Sequence, residues 1–266
     1  MQAESTVPDN LPADLLEYRR QYRQNVVGNH YSGVKHLLFV VFTSLAIIGF
    51  SIWMIEGSIR NDWGTILYTF LAANFVEYLG HRYPMHHRIR GFWAMFHRHA
   101  LEHHQFFTER WMTCRSTRDY RIVLFPPVML FFYFGIVALP VGTLLFLLHR
   151  PNVAWLYVAT AMFYFLQYET LHFCYHIDES SWITKLPIMR RLREHHRVHH
   201  TQELMTRCNF NITWPIADFV FRTIHHERNE TPTVGNGVEP KRKIGSEPLE
   251  NDSTAMRPDG MPPRCG

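Results

Sequence analysis

Apolar and polar positions divide the chain into long uncharged runs separated by basic, histidine-rich stretches. Leu37 to Ile55 reads LLFVVFTSLAIIGFSIWMI, 19 residues without a charge, close to the roughly 20 a helix needs to cross a bilayer. Trp63 to Leu79 repeats the pattern, interrupted only by Glu77, and the short link EGSIRND between the two predicts a tight helical hairpin. Ile122 to Leu148 is uncharged for 27 residues; as a straight helix that is about 40 Å, longer than the roughly 30 Å hydrocarbon core. Pro126 and Pro127 lie near its start and Pro140 with Gly142 inside it, which allows one kinked span or a re-entrant pair. Asn152 to Leu171 is the fourth apolar stretch, with Gln167 and Glu169 near its far end.

The flanks read differently. Leu11 to Val27 predicts a helix with a partial apolar stripe (Leu15, Leu16, Tyr18, Tyr22, Val26) against Arg19, Arg20 and Arg23. Two readings stand for it: a helix lying on an anionic membrane surface, or one packed on the rest of the protein. Residues 1–10, and the Pro-, Gly- and charge-rich tail from 227 onward, are expected to be disordered. The expected organisation is an N-terminal cytoplasmic or interfacial segment at 1–36, a membrane domain at 37–226, and a tail at 227–266.

Composition alters this picture little. Mean hydropathy is slightly negative because the apolar residues are concentrated in the four runs. A net charge of +4 does not suggest a nucleic-acid partner. Cys114, Cys174, Cys208 and Cys265 have no metal-type pairing or regular spacing, so no disulfide framework is expected, in keeping with a reducing compartment. The acidic, polar start is not a secretory signal.

Charge asymmetry sets the expected topology. The segment 81–121 holds eight Arg and three acids, and 177–230 holds eight Lys or Arg, whereas the links 56–62 and 149–151 hold one Arg each. The positive-inside rule then places both termini and both basic segments in the cytoplasm. Four crossings bring the stretches after the second and fourth runs to one face; five would separate them by a bilayer, so 122–148 is read as one net crossing.

Those basic segments carry the chemistry. Of 18 histidines, ten fall in four clusters: His81 and His86 in HRYPMH; His99, His103 and His104 in HALEHH; His172 and His176 in HFCYH; His196, His199 and His200 in HRVHH. Helical neighbours at i, i+3 and i+4 share a face, so His172 and His176 should converge, as should His196, His199 and His200 on a helix from about Pro187. His99 and His103 are i, i+4, leaving His104 to face a second metal. Pro84 must distort or end any helix joining His81 to His86. Neutral imidazole is the commonest transition-metal ligand. Ten are too many for one ion, and two ions with four or five each would keep positions open. The set is unlike a closed, cysteine-rich zinc site and suits a non-haem iron pair, although zinc could occupy it on purification. His30, His36, His149, His225 and His226 read as ordinary surface or core residues. His87, His97 and His195 border the clusters, and His97 competes with His99 as first ligand of HALEHH. Glu77, Glu169 and Asp218 are candidate hydrogen-bond partners for the ligands.

These motifs, together with Asn209–Phe210 and Asp218 in HHRVHHTQELMTRCNFNITWPIADFVF, resemble the fatty acid hydroxylase and sterol desaturase superfamily over roughly residues 37–224. One departure is H-x3-HH at 99–104, where many members have H-x2-HH. With the topology read above, the expected fold is an all-α integral membrane protein of four spans whose cytoplasmic helical cap carries the dimetal site, and the resemblance implies that this site is a di-iron centre. It also implies two Fe ions, O2 as co-substrate, a lipid substrate (fatty acyl chain or sterol) and lipid hydroxylation or desaturation. No haem-binding HPGG and no nucleotide loop is present, so electrons are expected from a separate donor, cytochrome b5-like or ferredoxin-type. A bacterial inner membrane is preferred over the endoplasmic reticulum. The competing reading is a histidine-rich metal-binding protein or metal transporter; ligands at span ends rather than at the bilayer midplane argue against translocation. Aromatic residues such as Phe70, Phe75, Phe163 and Phe165 are candidate channel linings.

Overall fold

The computed structural model describes residues 11–57, 59–225 and 265. The disorder expected at 1–10 and the tail from 227, Cys265 apart, lie outside these residues. Among them helices joined by turns and loops are the regular structure, with no strand and one isolated bridge between Thr108 and Trp111. The elements are α1 (Ala13–Tyr22), α2 (Gly33–Trp53), α3 (Gly64–Arg82), α4 (Trp93–Phe96), α5 (His104–Phe106), α6 (Tyr120–Val123), α7 (Pro127–Phe132), α8 (Leu139–Leu147), α9 (Pro151–Tyr175), α10 (Pro187–His199) and α11 (Ile216–Val220).

α9 is the central helix and packs on α2, α3 and α8. Buried side chains run along it from Ala154 to Tyr175, and Val158, Met162 and Phe165 meet Val40 of α2 and Leu130 of α7. The opposite faces of α2, α7 and α8 expose large apolar side chains, among them Phe42, Trp53, Phe131, Leu144 and Leu147, which no soluble surface of this extent tolerates without a covering partner. Two stretches, Gly33–Trp53 and Thr117–Leu147, are long and apolar enough to cross a membrane. The other two long helices, α3 with 19 residues and α9 with 25, carry more polar positions.

The run with internal prolines settles into one direction. A break at Leu124–Pro126 precedes α7, and a π-helical segment, Tyr133–Ala138, joins α7 to α8. Pro140 lies at the start of α8, where the missing N–H and the ring clash are absorbed by that wider segment.

The helix predicted over 11–27 is present, with its last turn π-helical (Arg23–Val27). Of its two readings the structure gives the packed one. Leu15, Arg19 and Tyr22 are buried, and Tyr22 and Val27 share a core with Phe106, Phe107, Met112 and Ile122. α2 begins tight against the same region: a Cβ at Gly33 would lie 1.9 Å from the Thr117 carbonyl oxygen and 2.8 Å from the Tyr120 side chain, so only glycine allows this approach. The expectation of no disulfide is corrected at one place, because Cys208 and Cys265 are joined, with Cα atoms 5.8 Å apart. Their separation of 57 residues matches no sequence pattern from which pairing is read.

Candidate metal centre

All ten clustered histidines are buried at the end of the helix bundle formed by the C-termini of α3 and α9, with α10 and the 97–106 helix closing over it. They form two groups. His81, His86, His99, His104 and His199 have ligand atoms within 4.8 Å of one another, as do His103, His172, His176 and His196. His200 joins the second group, its Nε2 3.2 Å from that of His103 and 3.0 Å from that of His196.

Local structure explains the partition and corrects two expectations, the pairing of His99 with His103 and the convergence of His196, His199 and His200. α3 ends at Arg82, and the turn over Pro84 brings His86 back so that its ring centroid is 5.0 Å from that of His81. In HALEHH the helix is π-helical from His97 to His103. A π turn stacks i over i+5 instead of i+4, so His99 pairs with His104 (Nε2 to Nε2 3.2 Å) and His103 turns to the second group. A single π segment accommodates one extra residue in a helix, which accounts for H-x3-HH where H-x2-HH is more usual. On α10 the three histidines divide as well: His196 and His200 face the second group and His199 the first. His99 enters the centre, whereas His97 is half exposed and points to Glu102 at 3.4 Å.

The partners of the ligands also differ from expectation. None of Glu77, Glu169 and Asp218 is hydrogen-bonded to a ligand imidazole. Main-chain carbonyls take that place. His103 Nδ1 meets the Ile122 carbonyl at 3.2 Å, His176 that of Met112 at 2.7 Å, His200 that of Phe107 at 2.7 Å, and His199 that of Cys208 at 3.0 Å. His81 Nδ1 meets the Phe210 carbonyl. The carboxylates hold the backbone that presents these carbonyls. Asp218 accepts from the Phe210 and Asn211 N–H groups at 2.9 and 2.7 Å and from His195 at 3.2 Å. Glu77 accepts from Ile212, Thr213 and Tyr164. Asn209 ties the same loop to α10 through the His195 carbonyl at 2.9 Å. The Asn-Phe…Asp text downstream of the last cluster is therefore a bracket for His81 and His199.

Sequence reasoning missed Arg19. It is buried without a carboxylate partner among the described residues and donates to the carbonyls of Phe106 (2.9 Å) and Trp111 (2.6 Å). These flank Phe107 and Met112, the acceptors for His200 and His176. Nothing local marks an arginine some 90 positions from its partners.

The arrangement fits metal ions on its own chemistry. A neutral imidazole has one N–H, so a ring that donates through Nδ1 presents a bare lone pair at Nε2. The Nε2 atoms approach to 3.3 Å for His172–His103, 3.0 Å for His86–His199 and 2.7 Å for His81–His99, and for His103–His200, where both rings donate through Nδ1 to carbonyls, two bare lone pairs face one another at 3.2 Å. Two such lone pairs repel unless a cation lies between them. Ligands 90–109° apart on an ion with bonds of about 2.1 Å would be about 3.0–3.4 Å from each other. Burial, reinforced by neighbouring imidazoles, pushes His86, His99, His103, His104, His196 and His200 well below the usual histidine range. Burial lowers His199 to about 4 against the opposing bond to Cys208. The rings are thus held neutral, as ligands must be. The two groups are not equally braced: His86, His104 and His196 have no hydrogen-bond partner at Nδ1 among the described residues.

An apolar cavity of about 200 Å³ reaches the centre, lined by Met85, Met129, Phe125 and Tyr168 and by His99, His103 and His172, which come from both groups. Phe70, Phe75, Phe163 and Phe165 do not line it. Phe165 packs in the bundle core, Phe75 against Tyr78 and Phe210, and Phe163 is exposed. Phe70 lies against Tyr164.

No curated protein and no solved structure matches the chain. The fatty acid hydroxylase family model matches residues 66–223, which contain all ten histidines and the bracket that holds them. With the match extending over more than half of its length, the chain belongs to the fatty acid hydroxylase family.

Proposed function

We propose that this protein is a membrane-bound, O2-dependent di-iron oxidoreductase that hydroxylates or desaturates a lipid, a fatty acyl chain or a sterol, in lipid biosynthesis. The observation that carries the reading is the apolar cavity ending on histidines of both groups. It offers a long apolar molecule a dry route to the side of a two-ion centre. Four helices of the bundle cross the membrane in this reading, with the exposed apolar faces of α2, α7 and α8 against lipid and the histidines at the cytoplasmic ends.

Two bound irons would supply O2 activation and the oxidising power for an unactivated C–H bond. His81, His86, His99, His104 and His199 would hold one; His103, His172, His176, His196 and His200 the other. The chain's own residues do the rest. The carbonyls of Phe107, Ile122, Met112, Cys208 and Phe210 keep Nδ1 protonated and so keep Nε2 free to ligate. Phe125 and Tyr168, stacked with centroids 5.2 Å apart, form a rigid wall that excludes water and orients the chain. Electrons come from a separate cytochrome b5-like or ferredoxin-type protein.

The test compares the lipids of cells carrying the intact protein with those of cells carrying His196→Ala. A lipid that has gained one oxygen or lost two hydrogens should accumulate only with the intact protein. Wild-type oxidation by His196→Ala would refute the proposal, and iron-independent, His172-dependent metal uptake into vesicles would favour a transporter instead.

A further inference from the structure

Beside the apolar cavity lies a second one of different character. It measures about 360 Å³ and is lined by Tyr31, Lys35, His36, Arg98, Arg121 and Pro126, with His30, Ser32 and Pro127 completing the wall. Arg98 and Pro126 line both cavities, so the two adjoin, and Arg98 is the residue before the ligand His99. No carboxylate lines either cavity. Among the described residues no Asp or Glu forms an ion pair with Lys35, Arg98 or Arg121. Glu169, which acts on Arg98 through space, is buried and accepts the Phe125 N–H at 3.1 Å.

Three cations gathered around a cavity with no carboxylate in its wall need an explanation, because each is partly desolvated or badly placed on its own. The Arg121 guanidinium sits 5.9 Å from the Tyr31 ring centroid, and its buried Nε has no hydrogen-bond partner among the described residues. Arg98 spends one Nη on the carbonyls of Arg121 and Leu124, the latter at 3.0 Å. Lys35 stands in the first turn of α2, after the N-cap Ser32, where the helix dipole disfavours a cation and favours an anion. Tyr31 and His36, bonded at 2.7 Å, close the back of the cavity, and His36 is fixed by the Phe125 carbonyl at 3.0 Å. A guanidinium fork, an ammonium and a helix N-terminus around one space form a receptor for an oxyanion. The place in the fold is equally specific. The cavity lies where α2 and α7, parts of the two stretches apolar enough to cross a membrane, begin. That is the level of lipid head groups, and the cavity shares a wall with the one leading to the histidines.

Building on the lipid-oxidising reading above, we propose that this cationic cavity binds the oxyanion head group, carboxylate or phosphate, of a long-chain lipid whose alkyl chain enters the adjoining apolar cavity. Lys35 and Arg121 supply the charge, and Arg98 forms the partition over which the chain passes. The substrate class is accordingly an anionic amphiphile, not a neutral sterol or alcohol.

Binding is measured on metal-loaded protein in nanodiscs of neutral phosphatidylcholine, with hexadecanoate, hexadecyl phosphate and hexadecanol as probes and inorganic phosphate as competitor. The two anionic chains should bind at least about tenfold more tightly than the alcohol. Lys35→Gln with Arg121→Gln should abolish that preference while leaving hexadecanol binding unchanged. Lys35→Gln alone, at an exposed residue, should remove part of it and keeps the test valid if the double variant does not fold. Equal binding of anion and alcohol by the wild type, or parallel loss of both in the variants, overturns the proposal. So does competition by inorganic phosphate equal to that by hexadecyl phosphate, which would mark a free-anion site. The two readings fail separately. An oxygen-dependent lipid product with no head-group preference sinks this site alone. A charge-dependent preference with no oxidised lipid sinks the oxygenase reading and leaves the site standing.

Discussion

Replacing Arg19 with methionine separates the stability of the fold from the quality of the metal centre. The guanidinium is buried, and burial, offset only in part by the nearby Asp119 carboxylate, lowers it to about 10, so at neutral pH the ion costs about 3 kcal/mol of folding free energy. Against this stand its bonds to the Phe106 and Trp111 carbonyls at 2.9 and 2.6 Å, each worth about 1.5–3 kcal/mol as charge-assisted bonds. It also lies 4.8 Å from the centre of the Phe106 ring. Arg19→Met relieves the ion's cost, keeps much of the volume and orphans two carbonyls, so global stability should fall by only about 1–3 kcal/mol. The centre should suffer more selectively. The 106–113 segment carries the Phe107 and Met112 carbonyls that hold His200 and His176, both in one group. Loss of such outer partners weakens metal binding by about 10–100-fold. Chelator competition on metal-loaded protein should therefore show one ion of two released early, with the thermal transition little moved. Arg19→Lys, which lacks the fork that spans two carbonyls, should fall between. Wild-type retention of both ions in Arg19→Met, or equal weakening of both, would refute the argument that Arg19 acts through this segment.

Other outcomes follow from the same geometry. His99→Ala should lose the ion of its group, whereas His97→Ala should bind metal normally and change stability by no more than about 0.5 kcal/mol; metal analysis of the two purified variants decides between them. Gly33→Ala places a Cβ 1.9 Å from the Thr117 carbonyl oxygen, and displacing α2 should cost about 1–3 kcal/mol, read as a lowered unfolding midpoint. In metal-stripped protein the unfolded histidines titrate near about 6.5, and the folded ones lower, His199 near about 4. The unfolded state therefore takes up protons first as pH falls. Stability should be full above about pH 7, decline between about 6.5 and 4, and have lost about 3 kcal/mol from His199 alone at the lower limit. Denaturant titrations across that range check it, and a stability that rises on acidification would contradict the burial of neutral imidazoles.

Hydrophobic periodicity and the histidine text made several features legible: the helical class, the four apolar runs, the helix from Pro187, and the ten histidines that the structure brings together. They were legible because runs of 17 to 27 residues admit few alternatives, and because histidines in groups rarely have another use. The partition into two sets of five was not legible. It depends on a π-helical stretch at His97–His103, and an ideal-helix reading pairs His99 with the wrong neighbour. The imidazole partners were hidden for a related reason. Carboxylates announce themselves in a sequence, but the groups that hold these rings are carbonyls, which every residue carries.

What the sequence determined by itself is the chemistry available: ten imidazoles, apolar helices to carry them, and no other ligand set of comparable density. Tertiary structure alone decided which imidazole faces which, that Arg19 and the 208–211 loop hold them from outside, and that a cationic cavity adjoins an apolar one at Arg98. Ligand type is a property of single residues and survives in a linear string. Pairing, tautomer and cavity shape depend on contacts between segments some 20 to 140 positions apart, and those exist only once the helices have packed.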